Sequence, residues 1–349
     1  MLTALGTRHG TTDGYADNVH GIPGFETVGL APSLAFSRLT GGDALAIAAE
    51  VFGLAASKAV RLETERDDTF RLTVESGDLV LKVAHPADAV DDIDLQIRAL
   101  LHATRADASL PLQNMVPSAS GELAPVLAAH DNRIARLFTW LSGTELLDVR
   151  PDDPQLVKLG DALGRLSLSL RDFEHPAAIR VWAWDLLSAP RLRTLLDLVP
   201  NRLAKRALDG FDERVVPLLA ELPRQVVHND FNPGNVLVDD QTRDYVSGIL
   251  DFGDTVLSLR VADLAVALCY QLYPLGRRWE TVTPMIEGFE RYVPLTAAER
   301  EVLPELVAVR FAQRLLINDW LSKADSGRAR EPYFRRGLLG AFETLLKET

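Results

Sequence analysis

Apolar and polar residues alternate with a period of two over Val60–Leu62 and Phe70–Val74, with the polar run ETERDDT between them. Gly77-Asp78 turns the chain into a third run, Leu79–Val83, and Arg133–Leu137 reads as the last strand of the same small antiparallel sheet. A helical period appears at Ala44–Leu54, after Gly41-Gly42-Asp43 as a cap, and at Asp91–Ala106 with Ile93, Ile97, Leu100 and Leu101 on one face. It returns at Asp152–Leu170, where Leu156, Leu159, Leu163 and Leu166 form a core stripe, and again at Arg191–Leu198 and Arg202–Leu222. A short strand at Val226-Val227 then leads to a hairpin, Val236–Val238 and Tyr245–Leu250, joined by the turn-forming DDQTRD. Helix resumes over Leu259–Tyr273 and through most of Thr296–Thr349. Residues 1–29 lack periodicity and read as a loop or mobile leader in which His9 and His20 are solvated. The order of elements predicts an α+β chain: a small antiparallel sheet lobe followed by a larger, mainly helical one.

The 349 residues suffice for two lobes with separate cores, and 47% hydrophobic and 25% charged residues are ordinary globular values. A net charge of −12 argues against nucleic acid or an anionic membrane as partner and is compatible with a cationic substrate. The one cysteine, Cys269, lies in an apolar helical run and reads as a buried thiol. There is no charged-then-apolar leader and no apolar run of membrane-spanning length, so the expected location is the cytoplasm. Nothing in the sequence sets an oligomeric state.

Candidate chemistry concentrates in VVHNDFNPGNVLVDDQTRDYVSGILDFGD, Val226–Asp254. In an antiparallel hairpin the residue before the first strand and the residue after the second lie side by side, and here they are Asn235 and Asp251. A carboxamide oxygen and a carboxylate at one point, with Asp230 on the loop leading in, make a hard oxygen site for Mg²⁺ suited to phosphoryl transfer. Lys82 supports the same reading, because a lysine inside the apolar run LVLKVA is costly to bury unless it meets an anion.

His228-Asn229-Asp230, Asn235 and Asp251-Phe252-Gly253 reproduce the residue types and spacing of the protein-kinase catalytic loop and D-F-G element. With the apolar strand pair and I-L-D-F-G-D, the stretch resembles the aminoglycoside phosphotransferase and choline kinase group, small-molecule kinases of protein-kinase-like fold. The resemblance runs from about Leu62 to the end and is sharp only here and at Leu81-Lys82-Val83. It implies Asp230 as catalytic base, Asn235 and Asp251 as metal ligands, Asp254 as a further acidic position and His228 as a buttress of the loop. It also implies Lys82 on the phosphates of ATP or GTP, with an acidic partner on the next helix. The group's glutamate there is replaced by Gln96, and Asp94 is the nearest acidic residue.

The same likeness divides the chain into an N-terminal lobe (1–137), a hinge (138–142) and a C-terminal lobe (143–349). Phe138, Thr139, Trp140 and Leu141 of the hinge would present backbone to the nucleotide base. The first strand turn has no glycine, so Thr64, Asp67, Asp68 and Thr69 would have to cover the phosphates. No long segment ending in A-P-E follows Asp254, which favours a small acceptor over a peptide. Trp184 and Asp185, in WAWDLL, could hold a substrate ammonium or anchor the helical lobe. Tyr270, Tyr273, Asp319 and Trp320 are further candidate pocket liners. TERDDTF, LKVAHPAD, QIRALLHA, WDLL and HNDFNPGNVLV resemble the hydroxylysine kinases and related kinase-like domains. That likeness implies a hydroxyl-bearing amino acid or amino alcohol as acceptor, 5-hydroxylysine first. An aminoglycoside O-phosphotransferase and a non-catalytic nucleotide-binding pseudokinase are the competing expectations.

Overall fold

The computed structural model describes residues 37–64, 66–273, 278–324 and 332–348; the expectations for 1–29 lie outside them. Helix α1 (Gly41–Glu50) opens the described chain. Its N-cap is Thr40, one residue before the predicted Gly-Gly-Asp. The Thr40 hydroxyl accepts from the Asp43 amide while the Asp43 carboxylate accepts from the Thr40 amide, a reciprocal cap that satisfies donors on both sides of the first turn.

Strands β1 (Lys58–Leu62), β2 (Asp68–Val74) and β3 (Gly77–Val83) follow, then helix α2 (Val90–Ala106). Next come β4 (Met115–Val116), β5 (Val126–Leu127) and β6 (Arg133–Thr139). The antiparallel order is β1-β2-β3-β6-β4, with β5 also paired to β6. The last long strand runs two residues beyond the predicted Leu137, so Phe138 and Thr139 belong to the sheet, where they pair with Val80 and Leu79 of β3. Ile47, Leu72, Leu81 and Leu137 meet in the core between sheet and α1.

Beyond Trp140 lie β7 (Thr144–Glu145), α3 (Asp153–Ser169), α4 (Arg193–Leu198) and α5 (Arg202–Gly210). The helix expected to continue to Leu222 ends at Gly210, and a wide π-type turn (Phe211–Val215) and a 3-10 turn (Val216–Leu218) replace it. Pro217, which lacks an amide proton, stands in that last turn. The chain then forms β8 (Arg224–Val227), β9 (Val236–Val238), β10 (Val246–Ile249) and β11 (Val256–Leu259). Helices α6 (Ala262–Leu272), α7 (Thr283–Glu290), α8 (Ala297–Ala324) and α9 (Pro332–Glu348) complete it.

β9 and β10 form the predicted hairpin, and β7 adds to its edge. β11 pairs with β8, so α6 begins three residues after the expected Leu259. The helical lobe packs around Leu163, Leu268, Phe289 and Phe311. A bridge between Leu112 and Ile249, with the Ile249 amide donating to the Pro111 carbonyl (2.9 Å), ties the connection between α2 and β4 to the hairpin. No helix among the described residues is long and apolar enough to cross a membrane.

Candidate active site

β8 and α6 set the loop that carries Asp230. The Asp263 carboxylate, in the first turn of α6, accepts from the amides of His228 (3.1 Å) and Asn229 (2.5 Å). Those bonds hold Asn229 in a left-handed conformation (φ 67°) that turns the chain sharply toward the cleft. Nδ1 of His228 accepts from the Asp230 amide (3.2 Å), so Nε2 carries the proton and donates to the Leu250 carbonyl (3.2 Å). The ring also meets Phe252 edge-on at 4.9 Å. His228 therefore locks the Asp230 loop to the Asp251 loop.

Both carboxylate oxygens of Asp230 are engaged. Asn232 donates to Oδ1 (2.8 Å) and Asn235 donates through Nδ2 to Oδ2 (2.6 Å). That bond turns the Asn235 carbonyl oxygen to the other side of its amide. The Leu250 amide donates to the Asn235 backbone carbonyl (2.8 Å), so Asn235 faces Leu250 and Asp251 lies one residue beyond the place expected opposite Asn235. Asp251, also left-handed (φ 63°), accepts from the Gly253 amide (2.9 Å) and from Lys82 Nζ (2.9 Å). The Lys82 charge, with that amide, holds the Asp251 carboxyl far below the usual range.

An ionised carboxylate and an amide oxygen at adjacent hairpin ends fit a hard divalent cation that takes its remaining ligands from phosphate and water.

The cleft between sheet and hairpin is lined by the polar Lys82, Gln96, Arg136 and Asp251 together with the apolar Leu100, Phe138 and Ile249. Cations and apolar surface in one cleft suit a nucleoside phosphate. Lys82 pairs with Asp251 and with neither Asp94 nor Gln96. Asp94 faces Arg98 (2.6 Å) and His175 (3.1 Å) instead, and Gln96 accepts from Arg136 (2.5 Å). Arg136 stands opposite Lys82 in the β3–β6 register and was not anticipated; its other arm binds Asp67 of the β1–β2 turn (2.8 Å). Asp68 turns inward to Arg133 (2.8 Å) and Arg61 (2.7 Å), so of the two adjacent aspartates only Asp67 reaches the cleft. At the hinge, the Trp140 amide donates to the Asp78 carbonyl (3.2 Å) and its ring lies under Arg71 (4.2 Å).

Around the acceptor side, Asp254 is half-buried, and its pKa is raised by burial and then by the neighbouring Asp230 charge. Burial raises that of Asp230 too, against the opposing field of Arg310. Arg180 pins this loop through the carbonyls of Gly253 (2.9 Å) and Thr255 (2.7 Å) while stacked on Trp182 (4.0 Å). Asp185 is buried and accepts from Ser258 and from the Leu187 amide (3.1 Å), which commits its carboxylate to anchoring the helical lobe. Trp184 is half-buried, and its carbonyl accepts from Arg310 (2.9 Å). Arg310 is 1% exposed and places a guanidinium nitrogen 3.5 Å from Asp230. Its signal was a charged residue inside the apolar run LVAVRFAQRLLI, the same kind of anomaly as Lys82 in LVLKVA.

The model of the phosphotransferase enzyme family (APH) matches residues 59–303. The chain belongs to this family. It is a small-molecule kinase that transfers phosphate to an alcohol group. Hydroxylysine kinase from Danio rerio is 28% identical over 307 residues, covering 82% of this chain and 84% of the relative. Homoserine kinase from Acidiphilium cryptum (strain JF-5) is 29% identical over 293 residues, covering 81% and 88%. The structure of the amicoumacin kinase hAmiN in complex with AMP-PNP, Ca²⁺ and Ami shares the fold, with a TM-score of 0.67 at 16% identity, covering 89% of this chain and 95% of that one.

Proposed function

We propose that this kinase transfers the γ-phosphoryl group of ATP or GTP, with Mg²⁺, to the hydroxyl of an amino-containing metabolite, and that 5-hydroxylysine is its acceptor. The observation that carries the reading is Asp230, oriented by Asn232 and Asn235 and near enough to the Lys82–Asp251 pair for the Asp251 charge to act on it. Asp230 orients the acceptor hydroxyl and takes its proton as the new O–P bond forms. The bond from the γ-phosphorus to the bridging oxygen breaks, and the nucleoside diphosphate leaves. Lys82 and Arg136 hold the phosphates, and Asn235 and Asp251 hold the Mg²⁺. When bound, that ion would neutralise charge on the phosphate oxygens.

The hydroxylysine and homoserine kinase relatives support a hydroxy amino acid as acceptor. So does Arg310 beside the base, which a polycationic aminoglycoside would meet as repulsion. The test is phosphate transfer from Mg-ATP and Mg-GTP to a panel containing 5-hydroxylysine, homoserine, amino alcohols and aminoglycosides. Asp230→Ala is expected to lose turnover by at least about 1,000-fold while still binding ADP. Undiminished turnover would remove Asp230 from the base role, and transfer to aminoglycosides alone would overturn the acceptor.

A further inference from the structure

α8 carries a second buried arginine one turn beyond Arg310. Arg314 is 6% exposed, yet no carboxylate among the described residues lies within ion-pairing distance of it. Its one polar contact there is the Cys269 thiol, with nitrogen and sulfur 3.9 Å apart. That sulfur is no counter-ion, because burial pushes the Cys269 pKa up and keeps the thiol neutral. Aromatic faces take the place of an anion. The guanidinium carbon of Arg314 lies 4.2 Å from the Tyr270 ring centre and 4.8 Å from that of Tyr273. Arg310 is caged in the same way by Trp184 (4.8 Å) and by Tyr270 (6.0 Å).

Ring faces stabilise a cation without neutralising it and without occupying the donors in the guanidinium plane. Arg310 Nε is in that condition, buried and without a hydrogen-bond partner among the described residues. Tyr270 lies against both guanidiniums, so the two cages are continuous, and Tyr270 and Trp184 themselves are half-buried. Among the described residues, Asp230 is the one carboxylate within ion-pairing distance of this cationic couple, and it pairs with Arg310; Asp254 acts on Arg310 from farther away. Arg314 is left with no carboxylate in contact among those residues, an imbalance that a ligand anion would correct.

Resting on the kinase reading above, we infer that Arg314, with Arg310, forms a subsite for the α-carboxylate of a hydroxy amino acid whose hydroxyl faces Asp230. Residues four apart on a helix share a face and lie about 6 Å apart along its axis. Arg310 adjoins the base, so Arg314 receives a carboxylate several bonds away from the reacting hydroxyl. A free amino acid supplies that group; an aminoglycoside or a simple amino alcohol does not.

The test is equilibrium binding by calorimetry to the full chain in the presence of ADP. The probes are 5-hydroxylysine, homoserine and their decarboxylated amino-alcohol counterparts. Wild type is expected to bind the carboxylate-bearing member of at least one pair about 10- to 100-fold more tightly, the range for hydrogen bonds to a charged group. Arg314→Gln should abolish that preference while weakening the amino alcohol far less, and Arg314→Lys should restore part of it. Equal wild-type binding within each pair, no binding of any probe, or a preference that survives Arg314→Gln overturns the subsite. If Arg314→Gln fails to fold, the wild-type comparison and the Arg314→Lys variant decide. Phosphate transfer measured on the same probes separates the two claims. Transfer without carboxylate preference leaves the kinase reading standing and removes the subsite; preference without transfer does the reverse.

Discussion

Single residues carry this site because its ion pairs, Lys82–Asp251, Arg136–Asp67 and Arg310–Asp230, join elements far apart in sequence. Lys82, on β3, neutralises Asp251, which follows β10, so both ends of the pair depend on the cleft being formed. Lys82→Met is therefore expected to do two things. ADP affinity should fall about 10- to 100-fold, measured by calorimetry, as phosphate contacts are lost. The Asp251 carboxyl should also return toward the ordinary carboxylate range, measured by the pH dependence of its NMR shift, because the Lys82 charge is the main cause of its depression. The departures from expectation at this scale share one cause. Their places on the helix make either Asp94 or Gln96 an expected partner for Lys82, yet Arg136 occupies the Gln96 amide oxygen and Asp94 faces Arg98 and His175. Which side chain meets which across a cleft depends on the strand pairing of β3 with β6, and no local pattern encodes that pairing.

Packing between elements makes its own predictions. α3 and α7 approach so closely that a methyl group added at Gly288 would lie 2.1 Å from the Val157 carbonyl oxygen, and one at Gly160 would lie 2.0 Å from that of Met285. Gly288→Ala must push backbone against backbone and should cost roughly 1–3 kcal/mol in a denaturation curve. It lies outside the cleft, so kcat of the folded fraction should stay near wild type.

Asp185 tests burial instead of shape. Its pKa in the folded protein is pushed up from 3.8 to about 6, chiefly by burial. Between those values the folded state holds a proton that the unfolded chain has released, so stability falls as pH rises from about 4 to 6. The loss amounts to about 3 kcal/mol. Asp185→Asn keeps an oxygen acceptor for Leu187 and Ser258 and should flatten that slope, measured by chemical denaturation across the same pH window. Strand and helix periods were legible at this scale wherever one face of an element is buried. The end of α5 at Gly210 was not, because the apolar residues beyond it still recur near the helical period while the backbone changes to π and 3-10 turns.

Across the whole molecule, one apolar cluster joins Leu95, Ala99 and Ala103 of α2 to the helical lobe, and polar ties add to it. Arg180 alone connects Asp92 of α2 (3.2 Å) with two carbonyls of the Asp251–Thr255 loop. Arg180→Met should lower kcat about 10-fold with a smaller change in the acceptor KM, by loosening how that loop sits on the catalytic cleft. Removing divalent cation with a chelator should abolish turnover. It should leave the melting temperature of the nucleotide-free protein almost unchanged, because Lys82 then neutralises Asp251.

The order of residues along the chain determined the two-lobed α+β plan, the hairpin and the grouping of Asp230, Asn235 and Asp251. Those features rest on short-range periodicity and on spacings within a single loop-and-hairpin unit. The partners of Lys82, Asp94 and Gln96, the turning of Asp68 away from the cleft, and the buried cations Arg136, Arg310 and Arg314 were decided only when strands and helices distant in sequence came together. The physical reason is that a charge is stabilised by whatever surrounds it in space. For these residues most of the surroundings come from segments of the chain far away in sequence.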